Sequence, residues 1–84
     1  MANDEDYERV LEELTLILLY LTRFREREWE MWRSWKGYDF GVLDNLQKNE
    51  FISSSHKAKS IYFEEKGIEK AKELLGKYGI KVEE

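Results

Sequence analysis

At 84 residues the chain is long enough for one small domain with a marginal core, and it has no cysteine, which excludes disulfides and thiolate metal sites. Charged residues make up 38% of it and the net charge is −4, which excludes a protein that holds phosphate through an overall basic surface. Its apolar runs are far shorter than the roughly 20 residues that span a bilayer, and its acidic start, MANDEDYE, does not fit a signal or transit peptide, so a cytoplasmic protein without membrane contact is expected.

The charge is uneven along the chain. Residues 1–35 carry nine acids and five bases, giving −4; residues 36–63 carry four bases and three acids, giving +1; residues 64–84 carry six acids and five bases, giving −1. The middle segment alone does not repel phosphate on balance.

Residues 1–6 are expected to fray, with Asn3 or Asp4 free to cap a helix. From there Tyr7, Val10, Leu11, Leu14, Ile17, Leu18, Leu21 and Phe24 recur at helical spacing. Leu16, Leu19 and Tyr20 add apolar surface on the other sides, so Leu14–Leu21 is apolar nearly all round. The pattern runs on through Met31, Trp32 and Trp35, and Gly37 is the first strong breaker. The spacing therefore favours a helix from Asp4 to Trp35 or Lys36, the alternative being a break near Arg23–Glu30. It would be roughly 45 Å long, in a domain about 25–30 Å across. A helix that outreaches its own domain predicts a homodimer, with Leu14, Leu16, Leu18, Leu19, Tyr20, Trp29 and Trp32 at the interface.

The run RFREREWEMWR has two readings, a solvated face of alternating ion pairs or an arginine patch for phosphate with Glu26, Glu28 and Glu30 interleaved. Trp29, Trp32 and Trp35 fit a core or subunit interface, or a platform for base stacking.

Asp39 is placed to cap a second helix running to about Lys48, with Phe40, Leu43 and Leu46 at helical spacing. Its outer side carries Gly41, Asp44, Asn45 and Lys48; in a DNA reader Asn45 would contact adenine and Lys48 guanine or phosphate. Phe51–Ser53 and Ala58–Phe63 read as two paired strands, with Phe51, Ile61 and Phe63 inward. Their tip, Ser54 to Lys57, is either a solvated turn or a wing whose Lys57 and Lys59 touch a phosphate backbone. A last helix opens at Glu64 or Glu65 with the stripe Ile68, Ala71, Leu74, Leu75 and Tyr78. Gly79 caps it, Ile80 folds back, and residues 81–84 fray.

The elements add up to one α+β, winged-helix-like domain over residues 1–84: a long N-terminal helix, a short helix, a two-stranded antiparallel hairpin and a C-terminal helix. Ser53–Ser55 beside His56 bring hydroxyls and an imidazole to a tip with no third group or oxyanion hole, so no catalytic site is expected. No metal site and no cofactor is expected either. The candidate nucleic-acid contacts are Lys36, Asn45, Lys48, His56, Lys57 and Lys59.

The stretch from Asp39 to Leu75 is similar to the second half of MarR-like and PadR-like winged-helix regulators. Their pattern is a helix ending L-x-x-L-x-x-x-G-x-I, a hairpin, then L-T-x-x-G opening a helix. Leu43, Leu46, Ile52 and Gly67 match it; Glu50 stands at the glycine and Glu64 at the threonine. Between Leu21 and Trp35 no separate first helix of a helix-turn-helix stands out. A closer resemblance, over most of residues 14–78, is to a small bacterial family of unknown function. It rests on Leu18–Thr22 (LLYLT), Trp35–Asp39 (WKGYD), Leu43, Leu46, Ile52, Lys57–Ser60 (KAKS) and Gly67. The first resemblance implies a regulator that binds double-stranded DNA; the second implies kinship without an activity. Two functions are therefore expected in competition. One is a winged-helix DNA-binding regulator. The other is a protein-interaction or assembly module that dimerises through its N-terminal helix and binds no nucleic acid.

Overall fold

The computed structural model describes residues 4–55 and 57–82, with side chains from Asp6 onward. In chain order the elements are α1 (Asp4–Leu21), β1 (Arg33–Trp35), α2 (Phe40–Lys48), β2 (Ile52–Ser53), β3 (Ser60–Phe63) and α3 (Glu65–Lys77). The class is α+β, as expected. The sheet is antiparallel, in the order β1-β3-β2. Ile52 lies opposite Phe63 in the expected hairpin, and Ser34 lies opposite Ile61 on the other side of β3.

β1 corrects two expectations at once. The sheet has three strands rather than two, and the first helix stops at Leu21 instead of reaching Trp35. The stop is chemical. The Thr22 hydroxyl donates to the Leu18 carbonyl at 2.7 Å, and the Arg23 guanidinium donates to the Tyr20 carbonyl at 2.9 Å. Last-turn carbonyls held by side chains, one of them cationic, are satisfied without another helical turn. The chain then reverses through residues 25–32, and Phe24 and Arg33 exchange backbone hydrogen bonds of 2.8 and 3.0 Å. Ser34, the inward residue of β1, is buried, and its hydroxyl lies 3.1 Å from that of Thr22, which ties the end of α1 to the sheet.

The core lies between the inner face of α1, the other two helices and β2 and β3. α1 supplies Leu16, Ile17, Leu19 and Tyr20; α2 supplies Val42, Leu43 and Leu46; Ile52, Ile61 and Phe63 come from the strands and Ala71, Leu74 and Leu75 from α3. Tyr20 meets Phe63 edge to face, with ring centroids 6.2 Å apart. Leu16, Leu19 and Tyr20, expected at a dimer interface, are instead 1%, 0% and 1% exposed within the single chain. One chain covers them because α2 and α3 both pack on α1. Trp32 likewise turns inward and packs against the core.

Asp39 caps α2 as expected, accepting from the Val42 amide at 3.2 Å. α2 and α3 end in the same six-residue turn. After α3, Gly79 N–H donates to the Gly76 carbonyl at 3.2 Å and Ile80 N–H to that of Leu75 at 2.8 Å. After α2, Glu50 N–H donates to the Gln47 carbonyl and Phe51 N–H to that of Leu46, both at 3.0 Å. This turn needs a left-handed residue after the cap. Gly79 supplies it at φ +69°, and Glu50 is forced into it at φ 66°. The second turn also aims the Phe51 carbonyl at the start of α3. There Glu64 N–H donates to it at 3.0 Å, and a methyl on Gly67 would overlap it.

Candidate functional site

Three surfaces are left once the core is closed. The first is the outer face of α1. Tyr7, Leu11, Leu14, Leu18 and Leu21 follow one another at intervals of four, three, four and three residues. On a helix that spacing keeps them within about 40° of one line. They are between 36% and 65% exposed, on the side of the helix opposite Leu16, Leu19 and Tyr20. α1 thus has two apolar faces. Sequence reasoning singled out Leu14 and Leu18 but passed over Tyr7, Leu11 and Leu21 as candidates. Their strict seven-residue repeat is the signal that separates them from the core residues.

The second surface is a groove of about 730 Å³ between α2 and the hairpin. Leu43, Ile52 and Ile61 floor it, and Lys36, Lys48, Asp44 and the exposed ring of Phe40 stand around it. Lys36 is tied to the tip, its Nζ donating to the Ser55 carbonyl at 2.7 Å and its backbone N–H to the Lys59 carbonyl at 3.0 Å. The structure therefore brings Lys36 and Lys48 to one groove and ties Lys36 to the backbone of Lys59, while the Lys57 and Lys59 side chains are exposed on the tip. His56 falls outside the described residues. Asn45 faces another way. With Lys48 it lines a shallower cleft against the start of α1, and the acids there are Glu8, Glu12, Asp39 and Asp44. Four carboxylates to one lysine make that side of α2 repel a phosphate backbone.

The third surface is the turn after α1. The Arg25 guanidinium lies 4.0 Å from the centre of the Trp32 ring, and that of Arg23 lies 4.6 Å from it and 3.8 Å from the Tyr20 ring. Arg33 lies over Phe24 and Tyr62 at 5.1 and 5.6 Å. The arginines of the RFREREWEMWR run are thus held by aromatic faces at the carboxyl end of α1, a cation–π arrangement that leaves their charge in place. Trp29, at 76% exposure, stands on this turn and not on a helix.

One titratable cluster joins α1 to α3. Glu13 accepts from Lys77 Nζ at 2.9 Å and from the Tyr78 hydroxyl at 2.7 Å. Burial pushes the Glu13 carboxyl up, but the Lys77 and Tyr78 hydrogen bonds and the charges of Lys77 and Arg9 outweigh it and hold it below the ordinary carboxylate value. The same Glu13 hydrogen bond, with burial, raises the Tyr78 phenol. The cluster locks the two helices together and opens on none of the three surfaces.

Among the described residues no helix is long and apolar enough to cross a membrane. In comparisons with known proteins, the model of one family, described as a domain of unknown function (DUF6429), matches residues 7–81. No curated protein and no solved structure matches the chain.

Proposed function

The chain belongs to this DUF6429 family, and we propose that it works as a non-enzymatic assembly module, a homodimer joined through the outer face of α1. One observation carries this reading: the repeat Tyr7, Leu11, Leu14, Leu18, Leu21 lies exposed along a helix whose opposite face already makes the core. Fully burying a leucine is worth roughly 1.5–3 kcal/mol, so covering leucines that are 36–46% exposed recovers about 1 kcal/mol apiece. A seven-residue apolar repeat is the pattern by which helices pack on one another. The two-fold pairing is self-complementary, because the same stripe serves both chains.

Light scattering at micromolar concentration tests this. The expected mass is twice the 10.2 kDa of the chain. Leu14→Glu and Leu18→Glu, at exposed positions, should give folded monomers with the parent's circular dichroism. Leu16→Glu and Leu19→Glu, in the core, should unfold the chain instead. A parent mass near 10.2 kDa refutes the dimer.

A second reading, a DNA-binding regulator with a winged-helix arrangement, has its own support. The strand order β1-β3-β2, with α2 just before the hairpin, is what that arrangement needs, and Lys36, Lys57 and Lys59 gather near the tip. The acids beside Asn45 weigh against α2 as a reading helix. Affinity for double-stranded DNA that falls steeply with salt, and is lost in the Lys57→Glu/Lys59→Glu variant, would favour this reading.

A further inference from the structure

We infer that the two copies pair antiparallel, with Leu11 against Leu21 of the partner subunit and Leu14 against Leu18 of the partner subunit. This rests on the proposed dimer and adds its geometry. At the amino end Asp6, Glu8 and Glu12 flank Tyr7 and Leu11, and the single base among them, Arg9, is paired with Asp6 at 3.2 Å. At the carboxyl end Leu21 is followed by Arg23 and Arg25, both held over Trp32, and then by Arg27, with Glu26, Glu28 and Glu30 balancing the three arginines over the turn. The acids of α1 are therefore gathered beside the amino end of the stripe, and none stands between Leu14 and Leu21.

A parallel pair would set Asp6, Glu8 and Glu12 beside their own copies. An antiparallel pair moves the two sets of acids to opposite ends of the interface, and it also opposes the two helix dipoles. In antiparallel packing each position of one heptad class meets the other class on the partner. The register that pairs Leu11 with the partner's Leu21 and Leu14 with the partner's Leu18 buries all four leucines of each chain. The same register carries Tyr7 and Glu8 past the end of the partner's α1, to the level of its arginine turn. Leu11 and its own copy then stand about ten residues apart along the helix, or roughly 15 Å, beyond the reach of a disulfide.

The chain has no cysteine, so a crosslink reports one contact. Leu11→Cys and Leu21→Cys variants, each checked for native circular dichroism, are oxidised separately and then after mixing and subunit exchange. The expected result is a covalent dimer in the mixture and none in either variant alone. Covalent dimers in each variant alone would establish a parallel pair and overturn the inference while leaving the dimer intact. No covalent dimer in any sample, from a parent with dimeric mass, would overturn this register. A monomeric parent in light scattering would remove the dimer itself, and the inference with it.

Discussion

Replacing Glu50 by glycine should stabilise the protein. Among the described residues Glu50 is the one non-glycine residue at positive φ. Its position is also where the winged-helix pattern carries glycine. A side chain in the left-handed conformation costs roughly 1–2 kcal/mol. Glycine removes that cost but adds unfolded-state freedom worth roughly 0.4–1 kcal/mol. The expected gain is the difference, about 0.8 kcal/mol, which for a chain of this size raises Tm by about 3–6 °C. Gly79 is the internal control, because it occupies the same turn at φ +69° and a Cβ there would meet nothing within 4 Å. Gly79→Ala should therefore lose a similar amount for purely conformational reasons. The double variant Glu50→Gly/Gly79→Ala should return near the parent, since the two turns end different helices. Thermal and urea unfolding at one fixed protein concentration measure all three. A Glu50→Gly variant no more stable than the parent would show that the turn, not the residue, sets the energy there.

Gly67→Ala should cost about 2–3 kcal/mol by overpacking, because the new methyl runs into the rigid Phe51 carbonyl rather than a movable side chain, and urea unfolding would reveal it as a lower midpoint. Asp39→Ala should cost about 0.5–2 kcal/mol through loss of the α2 cap, whereas an unchanged midpoint would mean that another group takes over the Val42 amide. Glu13 has a folded-state pKa below its ordinary value. Its contribution is therefore complete above the unfolded pKa and is lost as the pH falls through the folded one. Glu13→Gln should flatten the acid limb of the stability profile below about pH 4.5, and a profile parallel to the parent's would refute the assignment.

Much of the fold is legible in the sequence because each element carries its own punctuation. Asp39, Gly79 and the stripe Ala71, Leu74, Leu75 mark their helices by local chemistry, and Ile61 and Phe63 mark the inner face of the hairpin, where Ile52 rather than the expected Phe51 is the buried residue of β2. β1 is not legible. It is three residues long, its one inward side chain is Ser34, and it borrows its pairing from β3, 25 to 29 residues on. Helical spacing of Trp32 and Trp35 with the leucines upstream is a coincidence that a strand so short cannot contradict. The stop at Leu21 is written in Thr22 and Arg23, yet a side chain that bonds a last-turn carbonyl looks like any other polar residue until the backbone is seen. The candidate site is misread for a related reason. An all-round apolar helix says that two faces are covered, not by what. Leu16, Leu19 and Tyr20 went to the chain's own core, and the seven-residue repeat beside them was left outside.

In the proposed dimer, that division couples folding to assembly. α1 supplies core residues to both other helices, so it cannot detach without opening the domain. A domain of this size has a thin margin of stability by itself. A partner bound to the outer face of α1 binds the folded chain alone, because the unfolded chain has no helix on which to align Leu11, Leu14, Leu18 and Leu21. Assembly must then raise the apparent stability with concentration, by mass action. The dependence is expected in the parent and should vanish in Leu18→Glu, where the core is intact and the stripe is broken. An interface on the hairpin tip or the α2 groove would leave that substitution without effect on the slope. The concentration dependence of Tm therefore assigns the contact to one face of one helix without any knowledge of the biological partner.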